Sequence, residues 1–110
     1  MAFNAALVAH APDAEPEKHR CTIETSKYRL SVVVVRDQKQ AVEACQRLVR
    51  EDGVQSIMLC PGFTHGDVAE IAKAVGDGAG VFVARGDGPS ARVSQEVLKR
   101  EGWFSERGKS

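Results

Sequence analysis

A run of four valines, within Leu30-Ser31-Val32-Val33-Val34-Val35, is the feature that most restricts how this chain can fold. β-Branched residues favour strands, and a strand that is wet on one side alternates apolar with polar residues. The valines show no such alternation, which predicts a strand buried on both faces, as in a parallel sheet covered by helices. Three shorter apolar segments predict the other strands: residues 3–9, 56–60 and 81–84.

Apolar residues at helical spacing predict helices between these strands. The first long helix is capped by Asp37 and ends at Gly53, whose left-handed conformation suits a helix end. The second begins near Thr64, and a short polar helix begins at Pro16. The last helix spans residues 90–101. Its apolar residues are predicted to face inward: Val93, Val97 and Leu98.

Strands and helices thus alternate along the chain, which predicts right-handed crossover connections and a parallel sheet. We therefore predict a single α/β domain over residues 1–110. Its expected architecture is a small three-layer parallel sheet of about four strands, flavodoxin-like or Rossmann-like, with helices on both faces.

Charge balance and segment lengths exclude several classes of protein. Lys plus Arg equals Asp plus Glu, 15 against 15, so the chain lacks the basic excess of a nucleic-acid-binding protein. No apolar segment approaches the roughly 18–20 residues of a membrane span, so no membrane partner is predicted. The first residues lack the positive segment of a secretion signal, and three cysteines without metal-type spacing suggest reduced thiols. The sequence therefore predicts a cytoplasmic protein.

Residues that follow parallel strands gather at one edge of the sheet, where small-molecule sites usually lie. The strand ends of this chain would bring a thiol, imidazoles, guanidiniums and carboxylates to that rim. The predicted catalytic residues are Cys60, His10 and His65. The predicted ligand-binding residues are Gly62, Phe63, Thr64, Arg85, Asp87 and Arg36.

Two roles are open for Cys60. It precedes a tight turn and a helix start, where free N–H groups stabilise a thiolate, and His10 or His65 would serve as its base. In the other interpretation, Cys60 completes the apolar strand as a small buried side chain. Cys45, by contrast, lies on the apolar stripe of the first long helix and is predicted to be a core residue.

The turn at Gly62 lacks the glycine patterns of nucleotide-binding loops, so no cofactor is predicted. Thr64 and Asp67 have the spacing of a capping box, which would satisfy the helix start without a ligand. No local pair of metal ligands is present, so no metal ion is predicted. Binding of a carboxylate with help from Arg85 or Arg36 remains open.

Several motifs resemble those of a family of short bacterial proteins of unknown function. They are Met1-Ala2-Phe3-Asn4-Ala5-Ala6, Ala11-Pro12, Pro16-Glu17-Lys18-His19-Arg20, Ile23-Glu24-Thr25, Leu59-Cys60-x-Gly62-Phe63 and Arg85-x-Asp87. The resemblance covers roughly the first 87 residues and implies a small α/β domain, with no activity to carry over. Beyond Asp87 the chain is predicted to depart from its relatives, which continue with a histidine-containing, glycine-rich segment.

Two functions are consistent with these residues. One is an enzyme that acts on an anionic or carbonyl-bearing small molecule through Cys60, with Arg85 holding the anion. The other is a non-catalytic ligand-binding or assembly module that uses the same rim. An uncovered sheet edge and the apolar pair Trp103-Phe104 predict a homodimer or larger homo-oligomer under either function.

Overall fold

The computed structural model describes residues 2–104, which form five strands and three α-helices. The strands are β1 (Phe3–His10), β2 (Arg20–Glu24), β3 (Tyr28–Val35), β4 (Ser56–Leu59) and β5 (Gly80–Val83). The helices are α1 (Gln38–Arg50), α2 (His65–Val75) and α3 (Gly88–Arg100), and one 3-10 turn, Gly76–Gly78, follows α2. No helix within residues 2–104 is both long enough and apolar enough to cross a bilayer.

The five strands form one sheet in the order β2-β3-β1-β4-β5. Strand β1 lies at the centre and pairs in parallel with β3 and β4, and β4 pairs in parallel with β5. Only the edge strand β2 runs antiparallel to its neighbour. The predicted α/β fold with a mainly parallel sheet is confirmed.

The short polar helix predicted from Pro16 does not form, so that prediction is wrong, and the edge strand β2 that follows was not predicted. Residues 16–18 form a turn, and the chain then pairs with β3 through a hairpin. The Thr25 hydroxyl accepts hydrogen bonds from the N–H groups of Lys27 (3.2 Å) and Tyr28 (3.0 Å), which closes the hairpin. Pairing with a long strand outweighed the local preference of a segment too short to hold a helix alone.

One face of the sheet carries the hydrophobic core, which α1 and α2 cover. Side chains alternate along a strand, so every second residue of β1, β3 and β4 faces these helices. The fully buried strand residues are Ala6, Val8, Val33, Val35, Ile57 and Leu59. They belong to the same buried cluster as Ala41, Cys45 and Leu48 of α1 and Ile71 of α2.

Both ends of α1 form as the sequence predicts. The Asp37 carboxylate accepts a hydrogen bond from the N–H of Gln40 (2.8 Å), and the Gln40 side chain accepts one from the N–H of Arg36 (2.8 Å). Gly53 adopts a φ of 69° after the helix, and the buried Val54 donates its N–H to the carbonyl of Leu48 (3.0 Å). These caps fix where α1 begins, at the carboxyl end of β3.

The other face of the sheet differs from the predicted three-layer arrangement. α1 and α2 pack on the core face, while Met58 and Phe82 on the opposite face are 42% and 54% exposed. The predicted inward packing of α3 is wrong, because Val93 and Val97 are 59% and 40% exposed and the helix has no buried residue. The valine run of β3 correctly indicated two apolar faces, but a helix of this chain covers only one of them.

Because Cys45 is buried, the fold is expected to lose stability at alkaline pH. Removal from water raises the pKa of this thiol from 9.0 to about 12, because the thiolate is poorly solvated there. The folded state therefore holds the Cys45 proton above pH 9, where the unfolded chain releases it, and stability is lost as pH rises from 9 towards 12. Over this window we expect the free energy of unfolding of the wild type to fall by about 1.4 kcal/mol per pH unit more steeply than that of Cys45→Ala.

Urea unfolding of both proteins at a series of alkaline pH values measures this difference in slope. Other titrating groups are common to the two proteins and cancel in the comparison. Equal slopes would mean that Cys45 ionises as readily in the folded state as in the unfolded chain.

Candidate functional site

A groove of about 1170 Å³ lies between the carboxyl rim of the sheet and α3. We call it the rim groove. Six of the nine predicted site residues line it: His10, Arg36, Cys60, Gly62, Arg85 and Asp87. They come together because β1, β3, β4 and β5 are parallel, so that their carboxyl ends share one edge. Leu98 of α3, with Trp103 and Phe104 beyond it, supplies an apolar part of the lining.

In the tight turn that follows β4, the Cys60 thiol and the His10 imidazole both lie close to the backbone of Gly62. Cys60 donates its N–H to the carbonyl of Val8 (3.1 Å), and its own carbonyl accepts from the N–H of Phe63 (3.3 Å). A Cβ placed on Gly62 would lie 3.4 Å from His10 Nδ1 and 3.6 Å from Cys60 Sγ. Glycine at this position therefore leaves open the space that the thiol and the imidazole flank.

Phe63 holds the His10 ring in place from inside the core. The two rings stack with their centroids 4.0 Å apart and their planes 20° from parallel. Phe63 is only 5% exposed and belongs to the core cluster, and it is not among the described residues that line the rim groove. The geometry thus gives Phe63 the task of orienting His10, whereas the sequence predicted a direct contact with ligand.

Thr64 and His65 lie at the start of α2, outside the set of described residues that line the groove. The Thr64 hydroxyl accepts from the N–H of Asp67 (3.1 Å), and the Asp67 carboxylate accepts from the N–H of Thr64 (3.0 Å). This is the predicted capping box, and it occupies the Thr64 side chain. His65 is exposed in the first turn, so His10 is the imidazole that shares the groove with Cys60.

The two arginines of the site differ in how far their charge is already compensated. Arg85 Nε lies 2.6 Å from Asp87 Oδ1 in a local ion pair. The exposed Arg36 guanidinium, in contrast, has no ion pair or hydrogen bond with any residue in the range 2–104. Arg36 is therefore the more available positive charge among the described groove residues, whereas the sequence analysis gave Arg85 the role of holding the anion.

The sequence missed the part of the groove that α3 contributes. One face of this helix carries Ser94, Gln95 and Leu98 to the lining, with Gln38 opposite them at the start of α1. Gln38 Nε2 donates to the Asp67 carbonyl (3.1 Å) and to Glu70 Oε1 (2.8 Å), and so ties the starts of α1 and α2 together. The spacing of Ala91, Gln95 and Leu98 was the available signal, but it indicates an amphipathic helix without saying what it faces.

Metal binding finds no support in this part of the molecule. Among residues 2–104, no group of three His, Cys, Asp or Glu side chains is arranged to hold a metal ion. The described residues of the rim groove bring together a thiol, an imidazole, the Arg36 guanidinium and an apolar wall.

The environments of the cysteines predict which of them reacts with iodoacetamide in the native protein. We expect Cys60, half-buried on the groove, to be alkylated, and Cys45, fully buried with a pKa raised to about 12, to stay unmodified. Gly62→Ala should slow the reaction of Cys60, because the added methyl group would occupy the space beside Sγ. Mass spectrometry of digested protein resolves the sites.

Gly66→Ala is the matched control for this experiment. Gly66 lies in the first turn of α2, where a Cβ would meet only Thr64 Oγ1, at 3.8 Å, so the Cys60 rate should not change. Resistance of Cys60 until the protein unfolds would show that the thiol is structural and not available in the groove.

Comparison with known proteins places the chain in one family. No curated protein and no solved structure matches it. The model of a family of unknown function, DUF6506, matches residues 3–99, which include His10 at the end of β1 and Cys60 directly after β4. The match extends past Asp87, where the sequence predicted that the resemblance would end. The chain therefore belongs to the DUF6506 family.

Proposed function

We propose that this protein binds a small organic anion in the rim groove, with Arg36 as its principal charged contact. The observation that carries the proposal is the Arg36 guanidinium, which pairs with no other side chain among residues 2–104, on a groove that also has an apolar wall. Small-molecule sites commonly combine a mostly apolar lining with a few polar groups that fix orientation. A carboxylate accepts two parallel hydrogen bonds from a guanidinium, which gives both affinity and direction.

The start of α3 supports an anionic ligand in the same groove. Asp87 is the N-cap residue of α3, yet its side chain makes no capping hydrogen bond and is paired with Arg85 instead. The first N–H groups of a helix have no partner inside the helix and attract negative charge. The amino end of α3, at Asp87 and Ser90, lines the same groove as Arg36, and its first N–H groups are further donors for a bound anion.

A second candidate function is covalent chemistry on a carbonyl-bearing ligand. The convergence of His10 and Cys60 around Gly62 favours it. In this reaction His10 takes the thiol proton, Sγ bonds to the carbonyl carbon, and the carbonyl π electrons move to oxygen, which is then protonated by His10. The product is a thiohemiacetal or its ketone equivalent, and Arg36 would orient a carboxylate on the same ligand.

Replacement of Arg36 tests anion binding directly. We expect Arg36→Ala to weaken binding of a responsive carboxylate by about 10- to 100-fold, since a hydrogen bond to a charged group is worth about 1.5–3 kcal/mol. The probes are a panel of small mono- and dicarboxylates, each paired with its uncharged amide, titrated into labelled protein and followed by NMR. Carboxylates should shift the signals of Cys60 and Gly62, and the amides should not.

Arg50→Ala removes the same charge from the last turn of α1, at the end away from the groove, and should leave carboxylate binding unchanged. Cys60→Ser separates the two candidate functions, because anion binding survives it while adduct formation with a keto acid does not. If Arg36→Ala and Arg50→Ala weakened carboxylate binding equally, the loss of affinity would come from the change in net charge, which would contradict a direct contact with Arg36. A panel in which no carboxylate shifts the groove signals would contradict anion binding itself.

A further inference from the structure

The sheet face opposite α1 and α2 is apolar across all five strands. The register places Cys21, Val32, Leu7, Met58 and Phe82 in one row from the β2 edge to the β5 edge. Residues two positions along each strand extend the same face, and none of its positions in the five described strands holds Asp, Glu, Lys or Arg. We call this surface the open face.

Large side chains on the open face are exposed to solvent. Phe3, Ile23 and Tyr28 are 50%, 58% and 39% exposed, and Met58 and Phe82 are close to half exposed. Phe3 and Tyr28 stack on each other with centroids 5.8 Å apart, so they form a flat apolar area and not separate protrusions. A sheet face that stays in water normally carries polar residues at these positions, and a continuous exposed apolar patch marks an interaction surface.

The helices of this chain do not account for the open face. α1 and α2 lie in the core cluster on the other side of the sheet. α3 has no buried residue and borders the rim groove. Within residues 2–104, therefore, no helix covers these side chains.

We propose that a second copy of this chain covers the open face, with the two sheets packed face to face about a two-fold axis. Two identical faces meet in such an assembly, so each must be complementary to itself. An uncharged face on a chain of net charge zero meets this requirement, because neither side brings a repelling charge. Twisted sheets pack in this way with their strands about 30° apart.

The size of the open face agrees with this occupant. Five strands about 4.8 Å apart, the longest of eight residues, give a face roughly 20 Å on each side, so a pair of copies would bury on the order of 1,000 Å². An area of about 1,000 Å² is the least expected of a biological interface, and stable complexes commonly bury about 1,200–2,000 Å². The proposal does not depend on the rim groove, because the groove lies at the strand ends and the open face lies on the flat of the sheet.

A charge placed on the open face tests the proposal. Sedimentation velocity should show the wild type as a dimer and Met58→Glu as a monomer, because the carboxylate would be buried without a partner between two apolar sheets. Met58 is exposed in the single chain, so the variant should keep its fold, which circular dichroism checks. Phe82→Glu, on the neighbouring strand, provides the same test if Met58→Glu does not fold.

Val97→Glu is the matched control, because Val97 is a similarly exposed apolar residue on α3 and not on the sheet. It should remain dimeric. A wild type that stays monomeric at about 100 μM would overturn the proposal. A dimer that Val97→Glu dissociates and Met58→Glu does not would overturn it as well, by moving the interface to α3.

Discussion

The parallel pairing of β1 with β3 on one side and β4 on the other is the interaction on which the rest of this structure depends. It aligns the carboxyl ends of three strands, and each end then leads to a loop or a helix on the same edge. His10 and Cys60 become neighbours for this reason, although forty-nine residues lie between them in the sequence. The crossover helices also follow from the parallel sheet: α1 joins β3 to β4 and α2 joins β4 to β5, because parallel strands cannot be joined by a short turn.

Local signals in the sequence were sufficient for most of the fold. The Asp37 cap, the Gly53 helix end and the Thr64 capping box each depend on interactions within a few residues, and all form as expected. The valine run forms the predicted strand, although among residues 2–104 helices cover only one of its faces. Strand β2 was not predictable in the same way, because its partner in β3 and not its own composition decides its conformation. The orientation of α3 was missed for a related reason: an amphipathic pattern reports an apolar stripe but not what the stripe contacts.

The candidate site, like the fold, was predictable from the sequence only in part. Topology alone gathers His10, Arg36, Cys60 and Arg85 at the rim, so a sequence that shows alternating strands and helices already predicts their meeting. Sequence spacing does not show that Arg85, and not Arg36, is paired with a carboxylate among the described residues. Nor does it show that His10, and not His65, lines the groove together with the thiol. Asp87 compensates Arg85, and Phe63 stacks under His10, and only the three-dimensional arrangement shows either contact.

The central position of β1 also has a consequence for how the chain folds. Leu7 and Met58 are partners in the sheet, yet β2, β3 and α1 all lie between them in the sequence. Contacts of such long sequence separation raise the entropic cost of the folding transition state and slow the reaction. During synthesis from the amino terminus, the first strand made must therefore wait for β4 to emerge before both of its edges are satisfied. The strand that organises the native sheet is thus the one that stays longest without its full set of hydrogen bonds.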